Sequence, residues 1–497
     1  MAGSTITLLQ DILKEDYQGA VRDQLHREMR LLQLFEKGKA SWSGKDFVVG
    51  LRVGKNTGIG FRGESVAGSP ATLPTAGNQR FLKILNRAKF LYGSFEVGGP
   101  DIAASSNGGS MALANSLHDE MKFLVEDVKD FADKMLFTGG KVKGLINEQK
   151  VLDPAAAGAG TTAATAAGAV SATFQYSGDH TPFASCLTGA ANVATWVHVE
   201  AVGMDDYNVA TSGGASTVNL DAGGELYVSA SDEAAGTIEL TVYGPAGTNF
   251  STLGVADGSA IAIQLATAGT IGTYWVGNAA FPDNDPLLQY SGILDNLCNP
   301  AHHGIARDGA SVTAAAAGSA AKAADELQST ILNMSDAAAV EAVAGVASSA
   351  VGGARVAIDS GRMQKALDVV RNESKRRPDI WLTNPLTRHK YIASATLTQN
   401  VNAGSAGGVD FGSVEQKLGF AGIPVEVDSN CPKSMLVGLN TGAWKLYELQ
   451  PGDFDDTDGK ILHKISGEDR YEGNWKWYCQ LVCEYPNQNV VICGYDI

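Results

Sequence analysis

The sequence predicts an α+β protein carrying an inserted β-sandwich, and three observations predict it. Stretches of period-two hydrophobicity near both ends bracket one long stretch of helical period. Between 335 and 450, helix-like and strand-like patterns alternate. Between 151 and 300 there is no Lys or Arg, while 14 acids stand among short strand-like runs and Gly/Asp/Asn turns. The chain has 497 residues, with 54 Asp and Glu against 38 Lys and Arg, for a formal charge of −16. That length suggests about three domains and ample room for a core. Apolar residues make up 44 % and charged residues 19 %, which fits a globular, loop-rich chain and not a disordered or coiled-coil one. The acidic balance argues against a dedicated nucleic-acid reader, which carries a basic patch and a high pI.

The acidity is local. Residues 151–300 hold a net −14, and the other residues together hold −2. Residues 1–95 are basic, with a net +6. Asymmetry of this kind marks separate modules.

Taken in order, residues 5–36 show helical spacing through Val21, Leu25, Met29 and Leu32. The start has no basic n-region and reads as no signal peptide. Residues 46–53 switch to period two, with Phe47, Val49, Leu51 and Val53 on one side. A Gly-, Pro- and Thr-rich stretch, 54–80, reads as a long loop tip. Residues 81–97 return as a second strand, so 42–97 forms an extended hairpin. A compact monomer gains little from such an arm, whereas an arm reaching onto a neighbour gains much. Residues 108–137 then carry Ala114, Leu117, Met121, Leu124, Val128, Phe131 and Met135 at alternating steps of three and four. This seam suits a coiled coil or one helix lying across a sheet.

Residues 154–172 (PAAAGAGTTAATAAGAVSA) read as a linker. TWVHVEAV, ELYVSAS, TIELTVYG and SAIAIQLAT read as sandwich strands. The charge-free stretch 258–282 is interrupted by Gln264, Gly269, Gly272, Gly277 and Asn278, so it reads as strands and not as a membrane span. A second Ala-rich link covers 312–324. Helices are expected at 335–350 and at 360–376, the latter burying Met363, Leu367 and Val370. The strand DIWLTN follows, then a helix opened by Pro385 with Asn384 as its cap. IPVEV, MLVGL and AWKLYEL read as strands, as do 475–485 and 488–494, which build the C-terminus into a sheet. Deleting 155–288 is expected to leave a folded remainder.

The chemistry-bearing motifs are weak. Gly58, Gly60 and Gly63 spell GxGxxG, but Pro70 and Pro74 follow where a dinucleotide site needs a helix. Lys55, Arg62 and Arg80, with Glu64, either face charges on a partner chain or are solvated loop charges. DFDDTDGK (453–460) misses the calcium-loop register and reads as an acidic turn. RNESKRR (371–377) places cations at a helix end, where they favour the helix dipole or contact nucleic acid. The six cysteines read as free thiols; Cys479 and Cys483 share a strand face, and Cys298 with His302 and His303 is a weak metal candidate. No catalytic, cofactor-binding or metal constellation emerges.

The order of elements carries more. The hairpin WSGKDFVVGLRV…FLKILNRAKFLYGSFEV comes first, and the helix SMALANSLHDEMKFLVEDVKDFADKMLFTG follows it. The rear segment runs DIWLTNPLTRHKYIASA…FAGIPVEVDSNCPKSMLVGLNTGAWKLYEL, and WYCQLVCEYPNQNVVICGYDI closes the chain. Together these resemble the major capsid proteins of tailed double-stranded-DNA bacteriophages, the Hong-Kong-ninety-seven-type capsid fold, over about 1–150 and 290–497.

The resemblance implies an N-terminal arm (1–41), an extended loop over the adjacent subunit (42–97) and a peripheral domain with the spine helix (98–150 and 471–497). It also implies an axial domain (291–470). The β-rich segment 151–290 is an insertion that the basic fold lacks. The implied function is structural: hexamers and pentamers of an icosahedral virion shell, assembled in the host cytoplasm, enclosing double-stranded DNA without sequence-specific binding. Partners would be further copies, portal, a separate scaffolding protein (since only about 40 residues precede the hairpin) and decoration proteins, with no membrane and no cofactor. Lys55, Arg62, Glu64 and Arg80 would be inter-subunit contacts. The competing readings are a bacterial surface-layer or adhesin-like protein, suggested by the Gly/Thr-rich acidic segment, and an enzyme with a distributed site.

Overall fold

A computed structural model describes residues 30–37, 42, 44, 46–54, 56, 58–59, 77–100, 116–148, 168–183, 197–202, 225–244, 260–263, 288–298, 301–303, 305–306, 327, 329–333, 358, 360–398, 418–456 and 459–495. The chain divides into two compact units. The smaller comprises 1–29, 91–132 and 450–477, and the larger comprises the rest. This division cuts across the five segments expected from sequence.

In the smaller unit, the strand Leu462–Lys464 runs antiparallel to Arg470–Cys483, with Leu462 opposite Gly473. Lys89–Gly98 also pairs with Arg470–Cys483. Along Lys89–Gly98 burial alternates, with Phe95 and Val97 inside and Glu96 outside. The Phe95 and Phe454 rings meet edge to face at 6.2 Å. Asp455 of the acidic turn accepts from Lys476 at 2.6 Å. The long helix is Ser116–Thr138, and 108–115 of its expected span lie outside the described residues. Its seam is half-buried at Met121 and Leu124. Toward the C-terminal end, beyond Ala132 and within the larger unit, Asp133, Met135, Leu136 and Phe137 are all buried, as is Ala132 itself. A helix covered on several sides near its end is a core element there, so that end of the seam serves packing within the chain.

The larger unit contains a six-stranded mixed sheet. Its order is Thr330–Asn333, Val490–Cys493, Met435–Leu439, Ile380–Thr383, Ile423–Val427, Leu418–Phe420. Ile380–Thr383 and Met435–Leu439 are buried throughout, as central strands covered on both faces must be. Helix Ser360–Ser374 buries Met363, Leu367 and Val370 in the cluster that holds Trp381, Leu436 and Val490. Gly438 is opposite Trp381, and a Cβ there would lie 2.8 Å from the indole ring. Helix Pro385–Thr398 starts as expected, with Leu386 N donating to Asn384 Oδ1 at 3.1 Å. The expected helix 335–350 lies outside the described residues. The C-terminal strand Val490–Cys493 is interior to this sheet.

The inserted region is a closed six-stranded antiparallel barrel and not a sandwich. Its circular order is Ala260–Ile263, Val142–Glu148, Gly168–Gly178, Thr237–Gly244, Glu225–Asp232, Val197–Val202. Alternation predicts which residues face a core but not whether the last strand meets the first, and Ala260–Ile263 here pairs on both sides. Two strands come from segments read otherwise. Gly168–Gly178 begins inside the expected linker 154–172, and Val142–Glu148 precedes the expected insertion. Deleting 155–288 would therefore strip Val142–Glu148 of its barrel partners and expose Leu145 and Ile146, so a folded remainder is no longer the expectation.

Candidate assembly surface

The hairpin strands Asp46–Gly54 and Arg80–Arg87 are antiparallel, with Val48 opposite Leu85, Gly50 opposite Lys83 and Arg52 opposite Phe81. Because side chains alternate along each strand, the ribbon has two faces. The inner face carries Phe47, Val49, Leu51, Ile84 and Asn86. Leu51 and Ile84 are buried and pack with Leu327. The outer face carries Phe81, Leu85 and Val48, which are 67 %, 54 % and 48 % exposed. A lone apolar residue on a surface is ordinary, but the directly opposed Val48/Leu85 pair and Phe81, parted by the Gly50/Lys83 pair, form an exposed apolar stripe interrupted by one lysine and without cover among the described residues. Asp46 and Arg87 close the root of the hairpin with a 3.0 Å ion pair.

The arm is clamped where it joins the body. Trp42, Phe47 and Tyr447 form an aromatic ladder, with ring centroids 5.6 and 4.5 Å apart. Val482, Leu449 and Val49 fill around it. Tyr447 Oη donates to Glu484 at 2.6 Å, and burial, followed by that acceptor, pushes the phenol well above its ordinary pKa. Two polar groups in this region are buried without a hydrogen bond: Trp42 Nε1 and the Asn86 carboxamide. Each costs about 1–3 kcal/mol relative to a satisfied group.

The expected contact residues fall differently. Lys55, Arg62 and Glu64 lie outside the described residues. Arg80 opens the return strand opposite Gly54, and its side chain is outside the description. The expected second strand 81–97 is two elements, Arg80–Arg87 and Lys89–Gly98, parted at Ala88. The outer apolar residues Val48, Phe81 and Leu85 are not among the contact residues expected from the loop charges. Their signal was present: Phe81 and Leu85 flank Lys83 on the face of FLKIL opposite Ile84, two large apolar residues where a wet face needs none.

The barrel contributes a second polar locus. His180 Nδ1 lies 2.8 Å from Ser231 Oγ, and burial lowers the imidazole pKa. Ser177 and Ser434 share a hydrogen bond, and Lys433 pairs with Glu233 at 3.2 Å, so this end of the barrel is fastened to the turn before Met435–Leu439. Lys143 is buried and donates to Thr138 O at 2.9 Å and Gln289 Oε1 at 3.0 Å, and burial draws its pKa down to about 8. These polar groups are tied to structure, not gathered in a cleft. Cys298, Cys431, Cys479, Cys483 and Cys493 are buried and in no disulfide among the described residues. His303 Nε2 meets Asn296 Oδ1 at 3.0 Å. Among the described residues, no group of three or more His, Cys, Asp or Glu could hold a metal, and no helix is long and apolar enough to cross a membrane.

No family model and no curated protein matches the chain. Solved structures are similar to it over nearly its full length. The cyanophage A-1(L) capsid asymmetric unit is 12 % identical, with 98 % of each chain covered and a TM-score of 0.49. Mycobacterium phage Adephagia is 10 % identical, with 100 % of this chain and 99 % of that one covered and a TM-score of 0.41. An encapsulin complex from Synechococcus elongatus is 8 % identical, with 100 % and 97 % covered and a TM-score of 0.37.

Proposed function

We propose that this chain is a shell-building structural protein, a major capsid protein of the tailed-phage type. The observation that carries the reading is the hairpin: one face is bolted to its own body, and the other presents an apolar stripe to solvent. A ribbon built so has a rigid mount and an unfilled contact, and a second copy of the chain fills it. The element order supports the same reading: hairpin, long helix, a mixed sheet with two helices, and closing strands.

In this reading hexamers and pentamers form an icosahedral virion shell around double-stranded DNA, assembled in the host cytoplasm. A separate scaffolding protein, a portal and decoration proteins would be partners. The loop charges Lys55, Arg62, Glu64 and Arg80 would set register between subunits, since charge complementarity chiefly fixes specificity and encounter. The barrel would be a surface module.

Electron microscopy and analytical ultracentrifugation of the full chain, expressed with and without its scaffolding partner, test this. Capsomers or closed shells are the expected result. A strictly monomeric species under both conditions overturns it.

A further inference from the structure

One motif is left over from the shell reading: the basic run at the end of helix Ser360–Ser374. Arg371, Lys375, Arg376 and Arg377 are all exposed, and none makes an ion pair among the described residues. Four cations and one acid, Glu373, occupy these seven positions, a net +3 that stands out in a chain of net charge −16.

The turn that carries them is built, not frayed. Lys375 N donates to Arg371 O at 3.1 Å, and Lys375 adopts the left-handed conformation at φ 58°. That conformation costs a non-glycine residue roughly 1 kcal/mol or more, so the surroundings must impose it. Ser374 Oγ donates back to Val370 O at 2.8 Å and accepts from Arg376 N at 3.1 Å. Lys375 Nζ folds onto Asn372 O at 2.6 Å, capping the negative end of the helix. Pro378 is buried directly after, and Asp379 N donates to Leu439 O at 2.8 Å. The acid adjacent to the run, Asp379, is turned to Thr441, accepting from its N at 3.0 Å and from its hydroxyl. Helix capping thus employs Lys375 and leaves the guanidinium groups of Arg371, Arg376 and Arg377 on a turn pinned at both ends.

Planar guanidinium forks match paired anionic oxygens, as in phosphodiesters or carboxylates. The acids of the barrel are the carboxylate alternative. Those described already have partners: Glu233 with Lys433 of the turn before Met435–Leu439, Asp179 with Thr181 N, Asp232 with Ala234 N, Glu239 with Ser229 Oγ, and Asp295 of the following helix with Val142 N. We propose that the turn Arg371–Arg377 contacts the phosphodiester backbone of double-stranded DNA without reading its sequence. This rests on the shell reading, in which DNA is the enclosed polyanion. Three forks per copy bind weakly, and repetition over a shell multiplies them.

The test uses full-length protein below its assembly concentration, with two unrelated 30-base-pair duplexes, measured by fluorescence anisotropy from about 50 to 300 mM salt. Each phosphate contact contributes roughly 0.9 to the slope of log K against log salt. The variant R371Q/R376Q/R377Q is expected to lower that slope by about two to three for both duplexes and to weaken binding at least tenfold at the lowest salt. K129Q/K390Q/K460Q removes three exposed charges elsewhere and is expected to change little. An equal loss in both variants, or an unchanged slope in the first, overturns the proposal. So does tighter binding of polyglutamate than of duplex, which would assign the turn to an acidic protein surface. Circular dichroism establishes that both variants fold. Particle formation is read in parallel: shells with unaltered DNA binding sink this inference alone, and absence of particles with reduced DNA binding sinks the shell reading alone.

Discussion

The six-stranded sheet and the hairpin are both made of alternating or continuous apolar strands, yet one is finished and the other is not. In the sheet, Ile380–Thr383 is buried at every position and lies between two partners. In the hairpin, each strand has one partner among the described residues, one inward face, and an outer face on which Val48, Phe81 and Leu85 stand in solvent among Arg52, Lys83 and Arg87. A chain that can bury Trp381 completely has no shortage of means to cover Phe81. The difference teaches that the sheet's apolar surface is used up within one chain, whereas Val48, Phe81 and Leu85 of the hairpin remain exposed in the single chain.

Breaking the finished side should cost most. Trp381→Ala is expected to remove about 3–5 kcal/mol, as deletion of a fully buried indole does. Urea unfolding measures it, and a loss below about 1 kcal/mol would mean that the sheet relaxes around the gap.

The next effect lies where the sheet's rim meets the N-terminal segment. The carboxylate of Asp133 accepts from Leu32 N at 2.8 Å and Asn430 Nδ2 at 3.2 Å. Asp428 is buried nearby, and Arg30 reaches Glu426 at 2.6 Å. Burial, opposed in part by the Leu32 amide and reinforced by Asp428, raises the Asp133 pKa from 3.8 to about 6. The folded state therefore holds this proton more tightly than the unfolded one between about pH 4 and 6. The group's contribution falls as pH rises through that window, by up to about 3 kcal/mol. Asp133→Asn should flatten that component. Urea midpoints of native and variant protein at pH 4.5 and 7 give the difference, and parallel curves would refute the assignment.

A smaller gain is expected at the arm. Asn86→Leu replaces an unsatisfied buried carboxamide with an apolar group and should stabilise by about 1–2 kcal/mol. A loss instead would show that the carboxamide has a partner in solution.

The smallest stability effect sharpens the contrast most. Val48→Thr with Leu85→Gln should change the stability of the subunit by no more than about 0.5 kcal/mol, because the stripe is exposed. Sedimentation should nevertheless show assembly lost or displaced to higher concentration. Unaltered assembly would mean that the stripe is not an interface.

Much of this was legible locally. The inner hairpin residues Phe47, Val49 and Leu51 follow from period two, and Met363, Leu367 and Val370 follow from helical spacing. Asn384 before Pro385 announced a helix start. The loop charges were legible as charges but not as contacts, since a contact needs a partner's geometry.

By itself, the sequence determined strands such as 46–53, Ile380–Thr383 and Met435–Leu439 and helices such as Ser360–Ser374 and Pro385–Thr398, which side of each hairpin strand prefers burial, and that the acidity belongs to one segment. These follow from neighbouring residues, because backbone preference and side-chain periodicity act over a few positions. Only the tertiary structure decided that the inserted strands close into a barrel, that Val142–Glu148 belongs to it, and that Val490–Cys493 lies inside the six-stranded sheet. It also brought Asp133 and Asn430 together across 297 positions and set Asp428 beside them. Such pairings depend on which distant segments meet when loop-closure entropy is offset by burial, and no local pattern encodes that choice.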